Sequence, residues 1–303
     1  MSNTQRRILL LGSNGQLGST LRDELAGTPG LFCANRSHAD LSRPLELRRL
    51  LERVRPELII NAAAYTNVDG AEEHGQLARE INAGVPEQLA RYARRTGSRL
   101  VHVSTDYVFD GTTRRPYTED DRPAPINAYG RSKLEGEQAI LASGARAVIL
   151  RTAWLYSARS KNFFTSMLGF CRNRELIEVV ADKIGSPTTA GFLAEAIMRL
   201  CNRRFPDHPL LLHCTARGSV SRYRFVRRMV ELARDSGMPL RVKHILPVGS
   251  ERFPLPAPRP DCSALASRRL ASMIGLTPPS IEQEIRRTLL DVARAKKMHA
   301  RAS

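Results

Sequence analysis

Residues 7–18 read RILLLGSNGQLG, a short apolar run that ends in a turn rich in glycine. Leu17, Leu21 and Leu25 then recur at helical spacing, so this stretch predicts a strand, a glycine turn and a helix. Glycine permits a positive φ and lets another backbone come close, and the helix N-terminus presents free N–H groups to a pyrophosphate. The glycine spacing is G-x-x-G-x-x-G and not the generic G-x-G-x-x-G. Its position at the first strand-to-helix turn nevertheless predicts a dinucleotide site.

Strands and helices continue to alternate along the first half of the chain. Further strands are predicted at residues 30–34, 57–64, 99–103 and 147–150, with a helix from about residue 40, a helical stretch at 72–93 and a helix that contains Tyr129. This alternation predicts an α/β fold with a Rossmann-type, doubly wound parallel sheet.

The second half predicts a smaller C-terminal substrate-binding lobe. Its predicted helices lie at residues 163–171, 192–202, 222–235 and 281–295, its strands at 176–181 and 210–214, and its last residues, 296–303, form a frayed tail. We assign residues 1–155 to a dinucleotide-binding Rossmann domain and residues 156–303 mainly to the substrate-binding lobe. The helix near residues 190–203 is expected to return to the Rossmann core.

The composition is typical of a globular protein and argues against several other classes. The 303 residues are 42% hydrophobic, enough for a full core, and no apolar run reaches the ~18 residues of a membrane helix. We see no signal peptide. Five cysteines without paired spacing argue against a disulfide framework or a zinc site and favour a reducing cytoplasm. The net charge of +17 comes from scattered arginines without a basic arm, which indicates a solvated surface and not a nucleic-acid site.

The end of the second predicted strand bears on the choice of cofactor. Asn35 stands where an NAD-binding fold usually carries an acid for the ribose hydroxyls. Asparagine does not repel a 2′-phosphate and Arg36 can bind one, so we predict NADP, with NADPH preferred and NADH also usable. The alternative is that Arg36 points to solvent. Asp40 or Ser42 is a candidate cap for the next helix, with Pro44 in its first turn.

Tyr129 and Lys133 lie four residues apart in the segment NAYGRSKLE at 127–135. On a helix the two side chains would share a face, about 5 to 6 Å apart. The ammonium could then favour the phenolate and make the phenol a proton donor for carbonyl reduction near neutral pH. A chance Tyr-x-x-x-Lys in a chain with seven tyrosines is the alternative. Thr105 directly follows a predicted strand, at the edge where ligands bind, so we expect it to join the pair.

Seven motifs spread over nearly the whole chain support a more specific interpretation. They are GSNGQLG at 12–18, NAAAYTNVDGAE at 61–72, STDYVFDG at 104–111, YGRSKLEGE at 129–137, RTAWLYS at 151–157, ADKIGSPTTA at 181–190 and PLPAPRPDCSAL at 254–265. Together they resemble the extended short-chain dehydrogenases/reductases, and among them the dTDP-4-dehydrorhamnose reductase family. The resemblance implies NADPH-dependent reduction of the 4-keto group of a dTDP-4-dehydro-6-deoxy sugar, in dTDP-rhamnose and lipopolysaccharide biosynthesis. It leaves a homodimer open.

The resemblance also implies roles for particular residues. The catalytic set would be Thr105, Tyr129 and Lys133, and the substrate would contact Thr105, Asp106, Trp154 and Arg259. The cofactor-binding set would be Gly12, Asn14, Gly15, Gln16, Leu17, Gly18, Asn35, Arg36, Asp40, Leu41, Ala62, Ala63, Ala64 and Tyr65. Some members of the family dimerise through magnesium, but their acidic ligands cannot be matched onto this chain, so no metal is assigned.

The sequence departs from the family pattern at two positions. The family often has aspartate where Asn35 stands, and it usually continues its last motif with Leu-Asp, whereas Leu265 is followed by Ala266.

A 4,6-dehydratase usually reads Thr-Asp-Glu where this chain has Tyr107 in the third place. A nucleotide-sugar epimerase needs the same tyrosine and lysine and stays open. A non-catalytic NADP-binding regulatory subunit, resembling that of methionine adenosyltransferase, shares the fold, although the retained catalytic set argues against it.

Overall fold

The computed structural model of the chain describes residues 6–302, with the side chains of residues 6–295. In that part of the chain the strands are β1 (Ile8–Leu11), β2 (Leu31–Ala34), β3 (Leu58–Asn61), β4 (Arg99–Thr105), β5 (Ala147–Thr152), β6 (Leu155–Tyr156), β7 (Leu176–Val180), β8 (Ile184–Gly185), β9 (Thr188–Thr189), β10 (Leu210–His213), β11 (Val220–Ser221) and β12 (His244–Val248). The α-helices are α1 (Gln16–Glu24), α2 (Pro44–Val54), α3 (Gly70–Glu73), α4 (Gly75–Arg79), α5 (Val85–Thr96), α6 (Ala128–Ala142), α7 (Phe163–Asn173), α8 (Ala190–Cys201), α9 (Arg222–Asp235), α10 (Arg268–Ile274) and α11 (Ile281–Ala302). A π-helical turn at Glu80–Gly84 joins α4 to α5.

A six-stranded parallel sheet in the order β10-β5-β4-β3-β1-β2 forms the centre of the molecule. The chain passes from β1 to β2 on one side and then crosses to β3 on the other. The winding therefore reverses between β1 and β3, and this crevice beyond the carboxyl ends of the strands is where such sheets bind ligands. The prediction of a doubly wound parallel sheet is confirmed.

Helices cover both faces of this sheet because its strands are apolar on both sides. On one face the core contains Leu21 of α1 and Ile197 of α8. On the other face it contains Leu50 of α2 and Leu89 of α5. Helix α8 packs on the main sheet through Ile197, and β10 extends the same sheet beside β5.

A separate core lies in the second half of the chain. Tyr156 stacks on Phe164 with ring centroids 5.2 Å apart, and Phe225 of α9 meets Tyr156 edge-on at 5.4 Å. The short parallel pair β7 and β12 and helices α7, α9 and α11 pack around these rings. The domain division at residue 155 stays a prediction, since later segments such as α8, β10 and α10 belong to the core of the main sheet.

Several element boundaries differ from the sequence prediction. Helix α2 begins at Pro44 with Arg43 as its N-cap, and no side chain caps it. The proposed cap at Asp40 or Ser42 was wrong, because the Asp40 carboxylate accepts hydrogen bonds from the backbone N–H (3.0 Å) and hydroxyl (2.8 Å) of Ser42 in a turn before the helix.

The C-terminal helix and several unpredicted elements also differ from the sequence prediction. Helix α11 continues to Ala302, beyond residue 295 where the sequence prediction ended it, because residues 293–297 (ARAKK) are good helix formers; residue 303 lies outside the description. Helix α10 and the strands β6, β8, β9, β11 and β12 were not predicted. Pro247 argues against a strand in the sequence. A proline is tolerated in β12 because, within residues 6–302, this strand has β7 on one side and no strand on the other. No helix within residues 6–302 is both long and apolar enough to cross a bilayer.

Candidate active site

A cleft of about 840 Å³ opens at the reversal point between β1 and β3 and extends past the ends of β4 and β5. Most of the residues predicted for the site line it. These are Gly12, Asn14, Gly15, Gln16, Leu17, Asn35, Arg36, Asp40, Leu41, Ala62, Ala63, Ala64, Thr105, Asp106, Tyr129, Lys133 and Trp154. The volume lies in the range of small-molecule and cofactor sites.

The glycine turn after β1 forms one end of this cleft. Gly12 has φ +75°, and a Cβ there would lie 2.7 Å from the backbone nitrogen of Ala63. Gly15 is the N-cap of α1, and no side chain caps the first N–H groups of that helix. A glycine backbone pressed against the end of β3, with free N–H groups beside it, fits the phosphates of a dinucleotide.

Gly18 and Tyr65 lie outside the lining of the cleft. A Cβ on Gly18 would overlap the carbonyl oxygen of Gly12, so Gly18 lets α1 pack closely under the turn. The backbone N–H of Tyr65 donates to the side-chain oxygen of Asn82 at 2.9 Å, and the Tyr65 carbonyl accepts from the same amide at 3.0 Å. Both residues shape the loops around the cleft.

The end of β2 supplies a cation at the rim of the cleft. Arg36 is exposed and forms no ion pair with an acidic side chain in residues 6–295. The side-chain oxygen of the neighbouring Asn35 accepts from the backbone N–H of Ser37 at 2.9 Å and from the Ser37 hydroxyl at 2.6 Å. The guanidinium is therefore the group left free to meet an anion at this position.

Tyr129 and Thr105 come together in the middle of the cleft. Asn127 caps α6 by accepting from the N–H of Gly130 at 2.7 Å, and this fixes Tyr129 in the first turn of the helix. Thr105 ends β4, and its hydroxyl hydrogen-bonds the phenol. Burial raises the pKa of Tyr129 well above its ordinary value, although the hydrogen bond with Thr105 opposes the shift. The phenol is therefore fully protonated at neutral pH and is a proton donor.

Lys133 lies one helical turn further along α6 and is almost fully buried. Its Nζ donates to the Val103 carbonyl at 2.7 Å and lies 3.3 Å from Nε2 of His102. Burial lowers the pKa of Lys133 to about 8, while the charge of Glu137 opposes this. We expected the ammonium beside the phenol, but no hydrogen bond joins it to Tyr129 within the described side chains. The spacing of four residues fixes the shared helix face, and the partners on β4 fix where the long side chain ends.

Asp106 places a buried carboxylate beside Thr105. Its Oδ1 accepts from the Thr105 hydroxyl at 3.1 Å, whereas Oδ2 has no hydrogen-bond partner in the described part of the chain. Burial raises the pKa of Asp106 to about 6, although hydrogen bonds with Ser263 and Thr105 and the charge of Arg222 oppose this. A free, desolvated acceptor in a cleft is suited to bind a hydroxyl of a ligand.

Trp154 and Arg222 form the far end of the site. Trp154 lines the cleft with φ +44°, and the Arg222 guanidinium lies over its ring at 4.4 Å and over the Phe163 ring at 4.8 Å. Arg222 forms no ion pair with an acidic side chain in residues 6–295. The sequence analysis did not single out Arg222, because only the fold brings it to Trp154.

Arg259 lies behind the cleft wall and not in its lining. Its Nη2 donates to Oδ2 of Asp69 at 2.6 Å, and it also hydrogen-bonds Tyr107, which does line the cleft. The hydrogen bond from Arg259 lowers the pKa of Asp69. The pair ties the proline-rich loop at 254–260 to the segment after β3, so Arg259 acts on the cleft through its wall.

Other lining residues were missed by the sequence analysis. They are Leu11, Ala34, Ala39, Thr66, Val68, Ile81, Val103, Ser104, Tyr107, Thr152, Leu155 and Ser160. The rule that identified Thr105, a hydroxyl at the carboxyl end of a parallel strand, would also have found Ser104 and Thr152. No group of three or more His, Cys, Asp or Glu side chains that could hold a metal ion occurs among residues 6–295.

Comparison with known proteins agrees with this geometry. The family model described as the RmlD substrate binding domain matches residues 6–294. A dTDP-4-dehydrorhamnose reductase from Burkholderia thailandensis is 39% identical over 283 residues, which cover 90% of this chain and 94% of that protein. A protein from Streptomyces antibioticus named "Probable dTDP-4,6-dihydroxy-2-methyloxan-3-one 4-ketoreductase" is 40% identical over 87% of this chain and 88% of its own length.

A solved structure shows the same likeness in three dimensions. The dTDP-4-dehydrorhamnose reductase of Bacillus anthracis, crystallised in complex with NADP, superposes with a TM-score of 0.87 at 34% identity. The alignment covers 95% of this chain and the whole of that one. Since the family model and these relatives span nearly the full sequence, the resemblance is confirmed: the chain belongs to the RmlD family of dTDP-4-dehydrorhamnose reductases.

Proposed function

We propose that this chain is an NADPH-dependent oxidoreductase that reduces the 4-keto group of dTDP-4-dehydro-L-rhamnose to give dTDP-L-rhamnose. One observation carries the proposal: a protonated, half-buried phenol and a threonine hydroxyl lie together in a cleft whose other end is a dinucleotide cradle. Membership of the RmlD family and the NADP complex of a relative support the same conclusion.

The cofactor end of the cleft is supported by the fit of its residues. The turn at Gly12 and the uncapped N-terminus of α1 would hold the pyrophosphate, and Arg36 would meet the 2′-phosphate that distinguishes NADPH from NADH. NADPH, when bound, supplies the hydride that adds to the carbonyl carbon. The alanines at 62–64 leave room along the end of β3 for the rest of the dinucleotide.

The proton for the new alcohol comes from Tyr129. As the carbonyl oxygen gains negative charge, the phenol donates its proton, and the Thr105 hydroxyl turns from Asp106 Oδ1 to donate its hydrogen bond to the same oxygen. Lys133, with a pKa of about 8, is mostly protonated at neutral pH, so its positive charge favours the phenolate that remains. The reaction balances, because one hydride and one proton convert the ketone to the alcohol.

The sugar nucleotide would occupy the other half of the cleft. The free Oδ2 of Asp106 would accept a hydrogen bond from a sugar hydroxyl. Arg222, held over Trp154 and without an acidic partner among the described side chains, would meet the negative diphosphate. Stacking on two rings keeps the guanidinium in place without neutralising it.

Two other functions predict different behaviour with the same substrates. An epimerase would return the hydride and consume no net cofactor, and a regulatory subunit would bind NADP without turnover. The catalytic set argues against the regulatory subunit, whereas an epimerase needs the same tyrosine and lysine and is separated from the reductase by cofactor consumption. The relative from Streptomyces antibioticus widens the choice of dTDP-sugar, so a panel of 4-keto sugar nucleotides is needed.

The test is stoichiometric NADPH consumption with dTDP-4-dehydro-L-rhamnose as the first substrate. We expect one NADPH oxidised per sugar, and the Tyr129→Phe variant should lose about 10²-fold or more in kcat. Tyr92→Phe is a matched control, because Tyr92 is a buried tyrosine of α5 outside the cleft lining. NADPH-independent conversion, or normal turnover by Tyr129→Phe, would contradict the proposal.

Two finer parts of the proposal rest on the sequence alone. A cytoplasmic location and a homodimer remain predictions. Light scattering on the purified chain measures its mass in solution and decides the second.

A further inference from the structure

A buried chain of hydrogen bonds runs from the end of β3 to the amine of Lys133. The Nδ2 atom of Asn61 lies 3.0 Å from Nδ1 of His102, and Nε2 of His102 lies 3.3 Å from Nζ of Lys133. Asn61, His102 and Lys133 are each only 1% exposed. The proposed function uses Lys133 but gives no role to the two residues behind it.

The direction of these hydrogen bonds follows from one backbone group. The N–H of Ala63 donates to Oδ1 of Asn61 at 3.2 Å, and a backbone N–H can only donate, so it fixes which end of the amide is oxygen. The amide nitrogen must then donate to Nδ1 of His102. A neutral imidazole that accepts at Nδ1 carries its proton on Nε2. That proton points at Lys133.

The amine therefore meets two kinds of partner. It donates to the Val103 carbonyl at 2.7 Å, and it accepts from Nε2–H of His102 only when it is neutral. Protonated Lys133 would face the imidazole donor to donor. Burial holds the pKa of His102 well below its ordinary value, with a further contribution from the charge of Lys133, so the ring stays neutral.

We propose that Asn61 and His102 are positioning residues for Lys133, which fix where its amine lies and tie its charge to the orientation of the Asn61 amide. The inference deepens the proposed function, since Lys133 belongs to its catalytic set. The lysine of this site is then held in a state from which it releases its proton easily. The residue that controls this state, Asn61, lies at the end of β3 and does not line the cleft.

The charged groups around Lys133 are few. From α6 it faces Glu137, whose attraction raises the pKa of Lys133. Glu137 is itself held by Arg151 of β5, with Nη2 to Oε2 at 2.6 Å and both side chains buried. From β4 it faces His102. Because the Glu137 charge is balanced by Arg151, changes at Asn61 should act on Lys133 through His102.

The Asn61→Asp variant reverses the direction of the chain. A carboxylate can accept from Ala63 N–H with one oxygen and from Nδ1–H of His102 with the other, so the imidazole presents a lone pair to the ammonium. A negative charge about 8 Å from Nζ, at an effective dielectric of about 20, then raises the pKa of Lys133 by about 1 to 2 units. In the ¹⁵N spectrum, His102 should change from the Nε2–H to the Nδ1–H tautomer.

The measurement is a pH titration of ¹³Cε-labelled lysine by NMR on the full chain without any sugar nucleotide. The sequence has only six lysines, so the Lys133 signal can be assigned from its loss in Lys133→Met. We expect a midpoint near 8 in the native protein and an upward shift in Asn61→Asp. In the His102→Phe background the same substitution should shift the midpoint by about half as much or less, because the intermediary is gone.

A control separates this effect from general loss of stability. Ser98 is buried next to the start of β4, four residues before His102, and donates to the Pro56 carbonyl at 2.6 Å. Ser98→Ala should lower the Tm and leave the Lys133 midpoint unchanged.

Three results would overturn the inference: an Nδ1–H tautomer of His102 in the native protein, an unmoved Lys133 midpoint in Asn61→Asp, or an equal shift without His102. Each can occur while NADPH consumption is normal, and the expected titration can occur in a chain that consumes no NADPH. The inference and the proposed function therefore fail separately.

Discussion

Asp106 should destabilise the fold whenever it is ionised, and replacing it with asparagine should show how much. The carboxylate is 3% exposed and its Oδ2 has no partner among the described residues. Burial raises its pKa from an ordinary 3.8 to about 6. The Asp106→Asn variant keeps the shape and the acceptor that faces Thr105 and removes the charge.

The size of the effect follows from the shift of about 2 units. A raised carboxyl pKa means that stability is fully present below the unfolded pKa and is lost as the pH rises through about 6. At pH 8, where Asp106 is ionised, the raised pKa lowers the free energy of unfolding by about 3 kcal/mol; at pH 5, where the folded chain keeps the proton and the unfolded chain loses it, the loss is about half as large. Asp106→Asn should therefore be more stable than the native protein, by a margin that about doubles from pH 5 to pH 8.

Urea unfolding of both proteins at pH 5 and pH 8 measures this margin. The same variant should raise KM for the sugar nucleotide by about 10-fold or more, since a hydrogen bond to a charged group contributes about 1.5 to 3 kcal/mol. Greater stability with weaker substrate binding is the expected signature. A stability difference that does not change with pH would refute the assignment of a buried, high-pKa carboxylate.

Three further substitutions test the two ends of the cleft. Gly12→Ala should weaken NADPH binding by about 10-fold or more in a binding titration, because its Cβ would lie 2.7 Å from backbone. The control is Gly27→Ala, which should only lower stability, because Gly27 has a similar φ of +79° but, its chain neighbours aside, no atom of the described residues within 4 Å of the added Cβ. Arg36→Ala should raise KM for NADPH by about 10-fold and leave KM for NADH unchanged, so equal effects on both would contradict a 2′-phosphate contact. Arg222→Ala should raise KM for the sugar nucleotide by about 10-fold without changing the Kd of NADPH, and the exposed Arg224→Ala on the same helix should change neither.

Much of the scaffold was predictable because it depends on local patterns. Apolar runs separated by glycine and helical repeats identify β1, α1 and the alternation of strands with helices, and polar residues at strand ends identify the cleft. The start of α2 was not predictable from cap residues, since Asp40 and Ser42 satisfy each other in a turn.

Distant contacts account for what the sequence missed in the site. The end position of Lys133 depends on a carbonyl of β4, and the role of Arg222 depends on rings that come from residues 154 and 163. The direction of the Asn61 amide depends on the N–H of Ala63, two residues away in a backbone whose path only the fold determines.

The most direct test of the account is the fate of the hydride. The chain is incubated with NADPH that carries deuterium at C4 of the nicotinamide, on each face in turn, and with dTDP-4-dehydro-L-rhamnose. We predict that one of the two labelled cofactors places deuterium at C4 of the sugar, with one cofactor oxidised per dTDP-L-rhamnose formed. Product without deuterium at C4 from either cofactor, or no oxidation of NADPH, would contradict the central claim.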